Sequence, residues 1–203
     1  MKFRLHPILL PVFILLAVMG GLAAYAIVFG SLLIHEAGHL AAAKAQGMRV
    51  RSVTILPYGG EMEIANPSQH SRKARVLLAL GGPIATTLVL AAAIVLSFPG
   101  SMDVIRIQLL ILLVNLLPIL PLDGGQALLA LTEREESRYF DQTEFLVFSI
   151  GFLIVGAAVL LTGLPETALL ISLAVFLCLQ NISVFRFRRY RRIYEQLKRN
   201  NLT

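Results

Sequence analysis

The sequence predicts an all-α polytopic membrane protein of about six transmembrane helices, with a small membrane-associated β-hairpin after the second. Three observations predict it. Of 203 residues, 57% are hydrophobic and only 15% charged, with a mean hydropathy of +0.76, which leaves too little polar surface for a water-soluble domain. The apolar residues fall in runs suited to crossing ~30 Å of hydrocarbon, separated by glycines, prolines and charged clusters. The net charge of +6 comes from Lys and Arg placed between those runs, as in cytoplasmic loops, and implies no nucleic-acid partner.

The first charge-poor stretch, Pro7 to Ile34, is too long for one crossing, and Gly20-Gly21 reads as its turn. This places a first span over residues 7–20 and a second over 22–46, the second carrying His35, Glu36 and His39. The N-terminal run is longer than the apolar core of a signal peptide and leads without a polar gap into the histidines, so it reads as a retained span. A third span covers 74–98. After Pro99-Gly100-Ser101, Val104 to Leu122 forms a fourth, broken near its end by Pro118 and Pro121. Two more lie near 142–162 and 166–185, separated by Gly163-Leu164-Pro165. Residues 1–185 then form a membrane domain, and 186–203 a basic cytoplasmic tail in which Arg186-Phe-Arg-Arg-Tyr-Arg-Arg192 meets the inner leaflet.

Six spans return the chain to its starting side. All of the 18 Lys and Arg residues except Arg106 then fall on that side, so both termini are expected in the cytoplasm. Between the second and third spans, Val50, Val53, Ile55 and Leu56 suggest extended structure. Pro57-Tyr58-Gly59-Gly60 suggests a turn, and Glu61-Met62-Glu63-Ile64 an alternating return strand. A strand edge beside a membrane can pair with an unwound peptide; it can equally be a plain connector.

The chemistry is concentrated in His35-Glu36-Ala37-Gly38-His39. Residues four apart share a helix face, so both imidazoles can reach one metal ion, with Glu36 within reach of a water there. Three such groups in an apolar helix are costly against lipid and persist where they face a polar cavity or one another. The one cysteine, Cys178, excludes a thiolate site and a disulfide, so a third ligand must be His, Asp or Glu. Asp103 lies by an outer turn and Asp141 in a charged segment, whereas Asp123 ends an apolar run between Pro121 and Gly124-Gly125. Asp123 is thus the candidate third ligand, with a helix cap as the simpler alternative. His6 and His70 lie in juxtamembrane segments and read as solvated.

Together, His-Glu-x-x-His in one span and Asn-x-x-Pro-x-x-x-Leu-Asp-Gly in a later one resemble the site-2 protease family of intramembrane zinc metalloproteases. His6-Pro7, Leu56-Pro57-Tyr58-Gly59-Gly60 and Asn115-Leu-Leu-Pro-Ile-Leu-Pro-Leu-Asp-Gly-Gly125 are similar to its sporulation branch. The resemblance implies one Zn2+ per chain, held by His35, His39 and Asp123, with Glu36 as catalytic acid/base. It further implies Asn115 as a polar contact to substrate or tetrahedral intermediate, and Gly59 and Gly60 as part of a substrate-binding edge. The implied substrate is a membrane-tethered protein, pro-sigma-K in sporulating bacteria, with inhibitory membrane proteins as further partners. The implied location is a bacterial cell membrane.

Two departures stand out. Where the family often has Ala-Gly-Pro followed by Asn in the third span, this sequence reads Gly81-Gly82-Pro83-Ile-Ala-Thr86. The cytoplasmic CBS domain of the sporulation branch and an inserted PDZ domain are not expected within these residues. Two other functions use similar residues, a zinc transporter or sensor and an inactive protease-like scaffold. Neither transport nor sensing requires a glutamate between two helical histidines, and the intact His35, Glu36 and Asp123 count against a scaffold.

Overall fold

The computed structural model describes residues 1–57, 59–65, 70–133 and 138–200. Tyr58 of the expected turn, residues 134–137 and the end of the tail lie outside the described residues. So do the side chains of Asp141 and of the tail from Arg188 onward. In chain order the elements are β1 (Lys2–Leu5), α1 (Leu9–Val18), α2 (Leu22–Ala45), β2 (Val50–Leu56) and β3 (Gly59–Ile64). There follow α3 (Arg72–Leu96), α4 (Ser101–Asn115), α5 (Asp123–Thr132), α6 (Arg138–Leu160) and α7 (Ala168–Asn200).

Among the described residues, four helices are long and apolar enough to cross a membrane: α2, α3, and the segments Gln142–Gly163 and Leu170–Phe187. The expected first and fourth spans are shorter than the sequence suggested. α1 has 10 residues and α4 has 15, or about 15 and 22 Å at the helical rise, against ~30 Å of hydrocarbon. α1 is shortened because the chain before it is a strand and because Gly20, at φ 74°, ends it. α4 stops at Asn115 because Pro118 and Pro121 cannot continue it, and Asp123 opens a separate helix. α5 has no counterpart in the sequence reading. At the other end, α7 carries helical backbone well into the basic tail.

The chain divides into two compact units, Met1–Leu117 with Leu122–Leu131, and Pro118–Pro121 with Thr132–Thr203. In the second, α6 and α7 pack together and fix the short proline segment. The Leu120 amide donates to Ser149 Oγ at 3.2 Å, and Asn181 Nδ2 donates to the Leu120 carbonyl. Both side chains are buried, and these bonds satisfy the backbone groups of Leu120.

The first unit holds a three-stranded sheet, ordered β1-β2-β3, in place of a two-stranded hairpin. β1 adds parallel to β2, with Phe3 opposite Val53, and β3 pairs antiparallel, with Met62 opposite Val53. That row is apolar, and Val53 and Met62 pack with Ala43 of α2 and Ala74 of α3. The next row, Lys2–Ser52–Glu63, is polar and takes the opposite face. There Arg51 meets Glu63 at 3.1 Å and Ser52 Oγ donates to the same carboxylate. These bonds hold the Glu63 carboxyl below its ordinary range. The alternation Lys2-Phe3-Arg4-Leu5 is a strand signal hidden by its resemblance to the charged flank of a span.

α2 and α3 cross at glycines. A Cβ on Gly38 would strike the Gly81 carbonyl, and one on Gly81 would come within 2.6 Å of the Gly38 carbonyl. The two backbones therefore touch, which places α3 directly against the histidine-bearing face of α2. The small residues of 156–158 do not serve such a contact at Gly156, where a Cβ would meet open space.

Candidate metal centre

The buried residues of α2 are Ser31, His35, His39 and Ala43, one stripe at intervals of four that turns both imidazoles inward. Asp123 joins them from the start of α5. His35 Nε2 lies 3.0 Å from Asp123 Oδ2, His39 Nε2 lies 3.2 Å from the same oxygen, and the two Nε2 atoms are 3.2 Å apart. All three residues are buried.

The outer nitrogens of both rings are engaged. His39 Nδ1 lies 2.8 Å from the Leu78 carbonyl, which can only accept, and 3.2 Å from the Gly82 amide; the shorter contact assigns the proton to Nδ1 and leaves Nε2 its lone pair. His35 Nδ1 lies 2.8 Å from Thr86 Oγ1, a hydroxyl that holds the ring from its far side and can accept the Nδ1 proton when Nε2 faces a metal ion. Leu78 and Thr86 both belong to α3, a continuous helix that carries Gly81-Gly82-Pro83 in its interior. Pro83 brings no N–H to the ladder, and Gly82 leaves the space the rings occupy. A Cβ at Gly82 would stand 2.5 Å from His35 Nε2 and would also strike His39 Nε2.

With the proton of each ring on Nδ1, two imidazole lone pairs and a carboxylate oxygen converge on one point, an arrangement suited to a shared cation. Donors ~2.0–2.1 Å from a tetrahedral zinc ion are about 3.3 Å apart, close to the distances seen here. The donor set fits zinc: nitrogen and oxygen ligands, three in number, each imidazole oriented by a bond on its far side.

Glu36 is half-buried next to His35, and its side chain lies against the start of β3. A Cβ built on Gly60 would be 3.2 Å from Glu36 Cγ, and one on Gly59 would be 3.9 Å from Glu36 Oε1. Gly59, Gly60 and the carboxylate are therefore neighbours, and β3 is an edge strand among the described residues. Asn115 ends α4 and its Nδ2 donates to the Ile111 carbonyl of its own helix at 3.0 Å, not to the three donors. His6 is exposed and accepts a bond from the Ile8 amide, in line with its solvated reading.

Three features of the centre escaped the sequence reading. Thr86, noticed only as a departure from Asn, supports His35. The second is Gly82, which makes room for the rings. The third is a buried amide and hydroxyl one turn before His35: Gln108 Nε2 of α4 donates to Ser31 Oγ at 3.0 Å, while Gln108 Oε1 is buried without a partner among the described residues. The signal for that pair was a Gln in an apolar run, which only the fold connects to Ser31.

Comparison with known proteins agrees with this geometry. Residues 23–104 match peptidase family M50, a segment that includes both histidines and Glu36. Stage IV sporulation protein FB of Bacillus subtilis strain 168 is 29% identical over 196 residues, 94% of this chain and 68% of its own length. Zinc metalloprotease MJ0392 of Methanocaldococcus jannaschii is 23% identical over 120 residues, 55% of this chain and 34% of its own. Among solved structures, the site-2 protease from Methanocaldococcus jannaschii shares the fold with a TM-score of 0.57, over 93% of this chain and 89% of its own, at 21% identity. A family match across the histidine helix, a relative aligned along nearly the whole chain and a common fold point the same way: residues 23–104 match peptidase family M50, and the chain as a whole is similar to site-2-type zinc metalloproteases.

Proposed function

We propose that this protease hydrolyses a peptide bond of a membrane-associated protein near the cytoplasmic face, with one Zn2+ held by His35, His39 and Asp123. The observation that carries the reading is the convergence of three lone-pair donors at 3.0–3.2 Å beside Glu36. A zinc ion held there supplies Lewis acidity toward a peptide carbonyl and toward water. Glu36 accepts the proton of the attacking water and returns it to the departing amine nitrogen. A transmembrane helix hides its carbonyls in hydrogen bonds, so the substrate must be extended where it is cut. The outer edge of β3, starting at Gly59 and Gly60, offers unpaired backbone groups to such a segment next to Glu36. Asn115, at the end of α4, is assigned to the polar contact with substrate or tetrahedral intermediate on the strength of the family motif.

In this reading α1 and α4 complete six crossings despite their length, through local thinning of the bilayer. Both termini are then cytoplasmic, in a bacterial cell membrane. The substrate, by likeness to the sporulation branch, is a membrane-tethered pro-sigma factor such as pro-sigma-K, with inhibitory membrane proteins as partners. Co-expression of a tagged, membrane-tethered pro-sigma factor with the wild type and with Glu36→Gln tests the proposal. A shortened product from the wild type alone supports it; a product from both, or from neither, counts against it.

A further inference from the structure

The edge of β3 can present substrate to Glu36 only if the strand keeps its place along α2. Met62 and Ile64 anchor the far part of the strand in the core, but Gly59 and Gly60, the part beside Glu36, have no side chain to lock against the helix. A second attachment exists at the turn before β3. Tyr25 Oη donates to the Pro57 carbonyl at 2.5 Å, across 32 residues of sequence. Tyr25 belongs to α2, as Glu36 does, eleven residues earlier or about 16 Å along the axis. The helix that carries Glu36 thus holds β3 at Gly60 and the turn at Pro57.

The tyrosine ring is itself fixed. Phe29, one turn on, stacks on it with centroids 5.6 Å apart and planes 17° apart, and Phe13 of α1 packs edge-on at 5.5 Å. Phe13 also meets Phe29 edge-on, closing a three-ring cluster. A phenylalanine would serve that cluster as well. The hydroxyl is what an apolar helix would not carry without a partner, and its partner is the turn that leads into β3.

We propose that Tyr25 is a positioning residue of the proteolytic site, whose hydroxyl holds the Pro57 turn so that the β3 edge stays over Glu36. The inference rests on the reading of β3 as the substrate-binding edge. Its test separates the two. In full-length Tyr25→Phe, backbone amide exchange over residues 59–64 rises about fivefold, the loss expected for one hydrogen bond, while exchange in α3 and zinc content stay at wild-type values. KM for the tethered pro-sigma substrate rises by a similar factor at nearly constant kcat. Pro57→Ala keeps the acceptor carbonyl and leaves exchange over 59–64 near the wild type. Unchanged exchange in Tyr25→Phe overturns the role of the hydroxyl, and so does equal acceleration in Pro57→Ala. Faster exchange with unchanged KM overturns the inference through its premise, because the strand is then held by Tyr25 but does not receive substrate.

Discussion

His35 Nε2 and Asp123 Oδ2 lie 3.0 Å apart although 88 residues separate them in the chain. The approach depends on α5 beginning at Asp123. A Cβ at Gly124 would strike the Leu116 carbonyl, so the chain that leaves α4 passes directly beneath the residue after Asp123. The three candidate donors are thus assembled from one regular helix and one helix start, while α3 supports the histidines from behind.

That support predicts the effect of Thr86→Val. The substitution keeps the shape and removes the hydroxyl from His35 Nδ1. Zinc affinity should fall about 10- to 100-fold, with Thr86→Ser close to wild type. Competition with a zinc chelator measures it, and equal affinity in the Val and Ser variants would refute the supporting role.

Gly82→Ala should be more damaging than its size suggests. The added methyl has no room beside either Nε2 atom, so the rings must turn or α3 must move away. We expect loss of bound zinc together with about 1–3 kcal/mol of stability, the usual cost of overpacking. Gly156→Ala, which meets open space, is the matched control and should change neither. Thermal unfolding in detergent with metal analysis distinguishes the two variants.

The Gln108–Ser31 pair predicts a double-mutant cycle. Ser31→Ala removes the partner of Gln108 Nε2 in addition to the lack already present at Oε1, and should cost about 1–3 kcal/mol. Gln108→Met added to Ser31→Ala removes both polar groups and should recover most of that loss. Strict additivity of the two substitutions would show that the pair is not coupled.

Much of this was legible in the sequence because it depends on local spacing. His35 and His39 share a helix face by periodicity alone, and the alternation at Glu61–Ile64 marks a strand. Asp123 stood out by its apolar context, although its alternative as a helix cap was not foolish, since it does open a helix. What stayed hidden depends on pairing between distant segments. β1 was masked because two basic residues next to an apolar run fit a span flank as well as a strand. Thr86, Gly82, Ser31 and Gln108 are ordinary residues for a membrane helix until the crossing of α2 and α3, and the approach of α4, put them beside the histidines. α5 was missed because Pro118, Pro121 and two glycines argue against helix on both sides of Asp123.

Glu36→Gln separates metal binding from proton transfer. The amide keeps the volume beside Gly60 and cannot accept the proton of an attacking water. Zinc content should stay at the wild-type level while cleavage falls by at least about a hundredfold. Turnover at the wild-type rate would remove Glu36 from the chemistry.

The most direct test of the metal centre is the zinc content of the purified wild type beside Asp123→Ala, determined by elemental analysis after exhaustive dialysis. Three donors drawn from α2 and α5 predict one zinc per chain in the wild type and nearly none in the variant, with the helical signal of both preserved. One zinc per chain in both would contradict Asp123 as a ligand, and with it the account of how α5 completes the site.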